Sequence, residues 1–497
     1  MRSYSGVSPE SPLWLLGPPV GTIVFLWVTR TSPVTTVGLL YAFLLLLVPW
    51  ASFLRWRQQN RGGLPVFAML GFVYWWWFAV GMFWLERKLV LGFGRRVHTE
   101  SVDDAVLLAL VGVGCMGLGM RVRVTPLPPS RHFQLDDKQT SWHYVRFLLV
   151  AATLVSLAPG AHNLLGPGGQ RIMDILFSTV PTVALLLLLR KCLTDKGSML
   201  DRTLLWVYFP VRIVSGLASG WLGFVVGVGF ICGVMYFRVR RKIPLTMLAI
   251  SVAAVLFLQV GKRDFRESYW EKGEAGGVLE RATSWLNGSA SKWSEALNST
   301  GRDSTFQLSS ESLERTSLLP QVSHVLDVTP SQIPFQGGQT YSYMLITLIP
   351  RFVWPDKPSV NDANHYYQLA FGLSTERTVT GVNIGAGCLA EAYINFGWPG
   401  VICIMFMIGI ILGIYERSFL AEDSGTLFLA IGVALLPGIL GIEAQMSAYL
   451  GGVLQTVLLT MLVFLPVLRR PSGRVRTASV TPRIVPVMPQ LRVRRDR

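Results

Sequence analysis

Long apolar runs alternate with short polar, mostly basic segments along nearly the whole chain. Runs near 12–29, 34–54, 64–84, 105–120, 145–159, 173–189, 203–217, 220–237, 243–261, 396–414, 424–442 and 448–468 are the candidates for membrane helices. Each run, some with a short extension, is long enough for a helix to cross about 30 Å of hydrocarbon, and the pattern predicts about twelve spans. The alternation breaks once, where roughly 130 residues (262–395) separate the ninth and tenth runs, far more than a compact connection needs. Inside that region Val278, Leu279, Ala282, Trp285, Leu286 and Trp293 recur at helical spacing over 276–300. They predict short amphipathic helices lying on the bilayer. Leu313–Pro320 reads as a further helix closed by its proline, and Gly337-Gly338 as a turn. Residues 339–349 are apolar but too short to cross, which predicts a re-entrant or interfacial helix. The expected organisation is a bundle over 1–261, an external region over 262–395, a second group of spans over 396–468 and a basic tail over 469–497.

Composition agrees with this pattern: 51% of residues are hydrophobic and only 15% are charged. Lys and Arg cluster after every second span, at Arg55, Arg57 and Arg61, at Arg121 and Arg123, at Arg190, Lys191 and Lys196, and at Arg238, Arg240, Arg241 and Lys242. Short cytoplasmic loops carry such an excess, so both termini are expected in the cytoplasm and 262–395 outside. The loop 85–104 runs against the rule, with Arg87, Lys88, Arg95 and Arg96 on the outer side, balanced by Glu86, Glu100, Asp103 and Asp104. The net charge of +16 is then a consequence of topology and gives no reason to expect nucleic acid. The Arg-rich tail is expected to be disordered and to lie against anionic headgroups. Pro18-Pro19 interrupt the first run and no small-residue cleavage pattern ends it, so it is expected to remain as a helix.

The chemistry that stands out lies in the external region. Among the five cysteines only Cys388 falls on the outer side, where it is expected to be a packing residue, and the histidines show no ligand spacing. No structural zinc and no cofactor are expected. The segment Ile349-Pro350-Arg351-Phe352-Val353-Trp354-Pro355-Asp356-Lys357-Pro358 places two cations on a strap stiffened by prolines, a composition suited to an anion site. Further along, Glu391 and Asn395 are one helical turn apart and share a face beside the tenth run. The spacings Gly223-x-x-x-Gly227 and Gly229-x-x-x-Gly233 predict close helix packing in the eighth span.

The order of these elements resembles the bacterial oligosaccharide repeat-unit polymerases, the Wzy-type O-antigen polymerase group. The resemblance rests on I-P-R-x-x-W-P-x-K-P at 349–358, G-x-x-A-E-x-Y-x-N-F-G-x-x-G at 387–400, the Gly-Gly-x-Thr-Tyr turn at 337–341 and Arg315. It covers about the C-terminal half; the N-terminal half is similar only in hydropathy. The R-x(10)-G arrangement of some of these enzymes occurs once, from Arg266 to Gly277. The resemblance implies an all-α, polytopic, GT-C-like membrane glycosyltransferase. Such enzymes move a glycan chain from one polyprenyl-diphosphate carrier onto the sugar of another, on the outer face of the membrane. Implied partners are the lipid-linked oligosaccharide, membrane lipids, a chain-length regulator and a flippase.

A metal-free site must hold the leaving diphosphate with guanidinium and ammonium groups, Arg being the better match to phosphate oxygens. Arg351, Lys357, Arg266, Arg315 and Arg263 are the candidates. Glu391 is the favoured carboxylate for the acceptor hydroxyl, with Arg351 as its catalytic companion; Asp264, Glu267 and His365 are alternatives. Arg212, the lone strong charge in the seventh run, is a further candidate for sensing phosphate. A glycan ligase and a transporter or flippase of lipid-linked sugars are the competing readings. The transporter is disfavoured because its spans should carry more polar residues and internal repeats.

Overall fold

The computed structural model describes residues 12–59, 63–86, 88–92, 94–127, 134–157, 169, 172–273, 276–298, 316–347, 349, 354, 356–359, 361–379 and 384–469, mostly as helix. The expected apolar runs become α1 (Pro12–Thr29), α2 (Thr36–Gln58), α3 (Val66–Trp84), α4 (Val102–Arg121), α5 (Gln139–Leu157) and α6 (Ile172–Leu193). They continue as α7 (Met199–Ser219), α8 (Leu222–Arg240) and α9 (Leu245–Trp270). The long connection after α9 supplies α10 (Val278–Asn298), α11 (Leu319–Val328), α12 (Gln339–Thr347) and α13 (Asp362–Ala370). Then come α14 (Gly387–Leu420), α15 (Thr426–Leu440) and α16 (Ser447–Val467). Among the described residues, eight helices are long and apolar enough to cross a membrane: α2, α3, α4, α6, α8, α9, α14 and α16. Apolar stretches of α1 and α15 are shorter, and α7 carries Asp201, Arg202 and Arg212 within its length.

The loops gather into two sets. In one, the hairpin of β1 (Lys88–Val90) and β2 (Arg96–His98) docks on the turn at 372–374, where the Gly92 amide donates to Gly372 O over 2.9 Å. A Cβ on Gly92 would stand 2.7 Å from Ser374 Cα, so the approach requires glycine. The Asp327 carboxylate accepts from the amides of Glu100 and Ser101 at 3.0 and 2.9 Å. In the other set, β3 (Gln134–Leu135) pairs with β4 (Leu468–Arg469), Arg240 meets Asp195 at 3.3 Å and Arg241 meets Glu422 at 3.6 Å. Asp201 is fully buried between Arg146 (2.7 Å) and Lys191 (3.1 Å), tying α5, α6 and α7 together at this end. The charged loop 85–104 thus packs with Asp327 and the turn at 372–374, at the opposite end from Asp201 and the basic residues Arg240 and Arg241.

The centre of the bundle is the pair α4 and α14, and its contact is built on glycine. A Cβ on Gly119 would overlap the Phe406 carbonyl oxygen, and one on Gly409 would overlap that of Met116. Small residues let two backbones touch in this way, where lipid gives no hydrophobic reason to associate. The glycines expected to do this lie elsewhere: Gly223 and Gly227 have nothing within 4 Å of a built Cβ, and Gly229 meets only Ser251 Oγ at 3.2 Å. The expectation is corrected for Gly223 and Gly227, which face open space, whereas Gly229 and Gly233 face the neighbouring helix, Gly233 through Pro244 and Met247 at 3.6 and 3.8 Å.

Two further expectations change. In place of the short helices expected over 276–300, the described residues 278–298 form one helix, α10, which returns antiparallel along α9. Successive pairs show this: Tyr269 with Arg281, Phe265 with Trp285, Gly261 with Ser289, and Phe257 with Trp293. Trp285 is fully buried and donates from Nε1 to Leu258 O over 2.9 Å, so the apolar stripe faces protein, while Val278, Leu279 and Leu286 stay exposed. Pro320 does not close a helix; it stands in the first turn of α11, where its missing N–H costs nothing.

Candidate functional site

Helix α14 contains one non-helical residue, Gly397, at φ 63° and ψ −150°, a conformation open essentially to glycine alone. The helix folds back on itself there. Leu389, eight residues before the hinge, and Met405, eight after it, both lie against Gly112, at 2.5 and 3.4 Å from a built Cβ. In a straight helix they would be about 24 Å apart. A Cβ on Gly400 would stand 2.5 Å from Ala392 O, so this glycine lets the two limbs close. The limb 387–396, expected to stand just outside the tenth span, instead runs beside it and is almost wholly buried.

This limb carries Glu391 and Asn395, and both reach the turn before α12. Gly337 and Gly338 have φ of 59° and 96°, forming the expected turn. Their amides donate to Asn395 O (3.1 Å) and Asn395 Oδ1 (3.0 Å). Asn395 Nδ2 donates to Thr340 Oγ1 at 2.7 Å and to Glu391 O at 2.8 Å. Thr340 Oγ1 in turn donates to Glu391 Oε1 at 2.8 Å. The second carboxylate oxygen, Oε2, accepts from the Met446 amide at 2.7 Å. Glu391 is 2% exposed, with a protein donor on each oxygen. Leaving any of these buried groups unpaired would cost about 1–3 kcal/mol.

The Met446 bond belongs to a longer contact between the loop 441–446 and the start of α14. Gly387 N donates to Glu443 O at 2.9 Å, and Cys388 Sγ to Ala444 O at 3.3 Å. Cys388 is the packing residue the sequence suggested. Ile442, Gln445 and Met446 are buried, whereas Glu443 between them is exposed. Lys262, on α9, lies close enough to act on the Glu443 carboxyl.

The other candidates are placed as follows. Arg266 is one turn beyond Lys262 on α9, with its guanidinium 4.2 Å from the Trp270 ring and 5.3 Å from the Trp221 ring. Arg263 is exposed, Asp264 pairs with Lys292 at 2.8 Å, and Glu267 with Lys272 at 3.1 Å. Lys357 is buried and turns toward backbone: its ammonium donates to Ile349 O at 2.6 Å and Ile346 O at 3.4 Å, beyond the end of α12. A cation there satisfies carbonyls that a helix end leaves open. His365 sits on α13, 3.8 Å from Asp362. Arg212 reaches Ser178 Oγ only at 3.5 Å and lies 5.5 Å from the Phe224 ring. Arg351 and Arg315 lie outside the described residues.

The geometry therefore unites Glu391, Asn395, Thr340 and the Gly-Gly turn, and adds two residues that sequence reasoning did not place in the site, Glu443 and Lys262. A signal for Glu443 existed: it is the only charged residue between Asp423 and Arg469. An ionisable group isolated in an apolar stretch faces a partner or a cavity as a rule.

A family model described as a domain of unknown function, DUF8712, matches residues 115–432, and the chain belongs to that family. No curated protein and no solved structure matches the chain.

Proposed function

We propose that this member of a family of unknown function is a glycosyltransferase that polymerises polyprenyl-diphosphate-linked oligosaccharide repeat units. The reaction takes place on the outer face of a bacterial cytoplasmic membrane and builds a surface polysaccharide. The observation that carries the reading is that two of the segments resembling repeat-unit polymerases, 337–341 and 387–400, lock onto each other through Thr340, Glu391 and Asn395. Segments that matter separately need not touch; these form one polar unit inside an apolar bundle.

The surroundings suit a lipid-linked substrate. An apolar groove of about 950 Å³ runs between α7, α8 and α9, lined by Phe209, Ile213, Leu217, Ile250, Ala254 and Leu258 among others. Arg266 stands about 12 Å further along α9 than Leu258 at the helical rise per residue. An isoprenoid chain in the groove would bring its diphosphate toward Lys262, Arg263 and Arg266, with Arg351 and Arg315 as further cations. In this reading the chain crosses the membrane twelve times in a GT-C-like arrangement with both ends in the cytoplasm. The C1–O bond to the diphosphate breaks, a bond from C1 to the acceptor hydroxyl oxygen forms, and polyprenyl diphosphate leaves.

Deletion in the native host, followed by sizing of surface glycan, tests this. A product of one repeat unit is the expected outcome. Full-length chains left on the carrier would instead mark a ligase, and unaltered surface glycan would overturn both.

A further inference from the structure

The carboxylate best placed by sequence, Glu391, is sealed off: it is 2% exposed and gives one oxygen to Thr340 Oγ1 and the other to the Met446 amide. Burial, together with the two bonds, leaves no open approach for a substrate hydroxyl. What those bonds hold is the loop 441–446, whose Glu443 carbonyl also accepts from Gly387 N. The fit is tight, because a Cβ on Gly385 would overlap the Glu443 carbonyl oxygen and one on Gly387 would stand 2.5 Å from Ile442 O. The loop's backbone is pinned and Ile442, Gln445 and Met446 are buried, yet Glu443 is exposed and Lys262 of α9 is near enough for its charge to act on the carboxyl.

We propose that Glu443 takes the proton of the acceptor hydroxyl, and that Glu391 is a positioning residue that fixes the loop carrying it. The proposal rests on the transfer reaction above. As the acceptor oxygen bonds to C1, its proton passes to the Glu443 carboxylate, and the electron pair of the C1–O bond leaves with the diphosphate. Lys262 and Arg266, one turn apart on α9, would meet that diphosphate beside the carboxylate. Crowding by protein raises the affinity of Glu443 for a proton, and the charge of Lys262 opposes it, which suits a group that must accept and then release one.

The test uses the full-length protein in detergent with lipid-linked repeat units. Glu443→Gln is expected to lower kcat by about 10²–10⁴-fold with little change in carrier binding, and Glu443→Asp to recover part of the loss. Glu391→Gln should alter the pH profile of kcat as well as its height, since a displaced Glu443 titrates differently. A hydrophobic carbodiimide followed by mass spectrometry reads accessibility without turnover: Glu443 should be labelled and Glu391 spared, and Glu391→Gln should change the Glu443 labelling rate. Wild-type turnover by Glu443→Gln, or labelling of Glu391 in preference to Glu443, would overturn the proposal and leave the transfer reaction standing. A wild-type protein that extends no chain would remove the reaction itself and the proton role with it.

Discussion

Thr340 donates its hydroxyl proton to Glu391 across 2.8 Å, joining two segments 51 residues apart in the chain at the point where α12 meets the returning limb of α14. The same hydroxyl accepts from Asn395, so one threonine side chain closes a three-residue network. Both of its roles need the oxygen, and its methyl group needs only space.

Thr340→Val keeps the shape and removes the oxygen, leaving Glu391 Oε1 without its donor and one of the two Asn395 Nδ2 hydrogens without its acceptor. The expected cost is about 1–3 kcal/mol, read as a lower unfolding temperature in detergent, whereas Thr340→Ser should stay close to wild type. Equal stability of the valine variant would show that water replaces the hydroxyl.

The glycine seam makes a paired prediction. Gly409→Ala drives a methyl group into Met116 O and should destabilise the protein by about 1–3 kcal/mol, with lower recovery from membranes. Gly227→Ala, with nothing within 4 Å, should be neutral. Similar yields and melting temperatures for the two would contradict the α4–α14 packing.

Arg351→Ala should abolish chain extension at normal protein level, and Arg351→Lys should weaken it. A lost charge-assisted contact in the transition state is worth on the order of 1.5–3 kcal/mol, or about ten- to hundredfold in rate. A fully active alanine variant would make the proline strap a scaffold only.

Sidedness can be read with single cysteines in a background lacking the five native ones. Arg95→Cys and Glu376→Cys should react with an impermeant reagent added to intact cells, and Arg240→Cys and Glu422→Cys only after lysis. All four positions are exposed. Reaction of all four in intact cells would break the topology.

Chain extension should persist in the presence of a chelator, the diphosphate being held by arginine and lysine. Activity lost to chelation and restored by a divalent ion would require a metal in the site.

The helices were legible in the sequence because hydropathy and length report them directly, and the sorting of loops followed from the spacing of basic residues. Direction was not legible. Phe396-Gly397-Trp398-Pro399-Gly400 lies in an apolar run, and hydropathy reads the same whether the chain continues or reverses there. Glu391 and Asn395 were found because they share a helical face, but their burial depended on the reversal at Gly397. Glu443 is hidden for a related reason: a lone carboxylate between two spans has no spacing pattern, and its significance comes from Lys262, 181 residues earlier. Pro320 is ambiguous in sequence because a proline marks a helix boundary without saying which side is helical.

The hinge at Gly397 also sets how force travels. The long limb of α14 meets the backbone of α4 at Gly119 and Gly409, while the short limb holds the polar lock. A sideways push on the bundle is therefore not carried up a continuous rod into the lock; along the chain it must pass through a single glycine, whose backbone turns easily. Thickening or thinning of the surrounding bilayer should thus tilt the long limb well before it disturbs the bonds around Glu391.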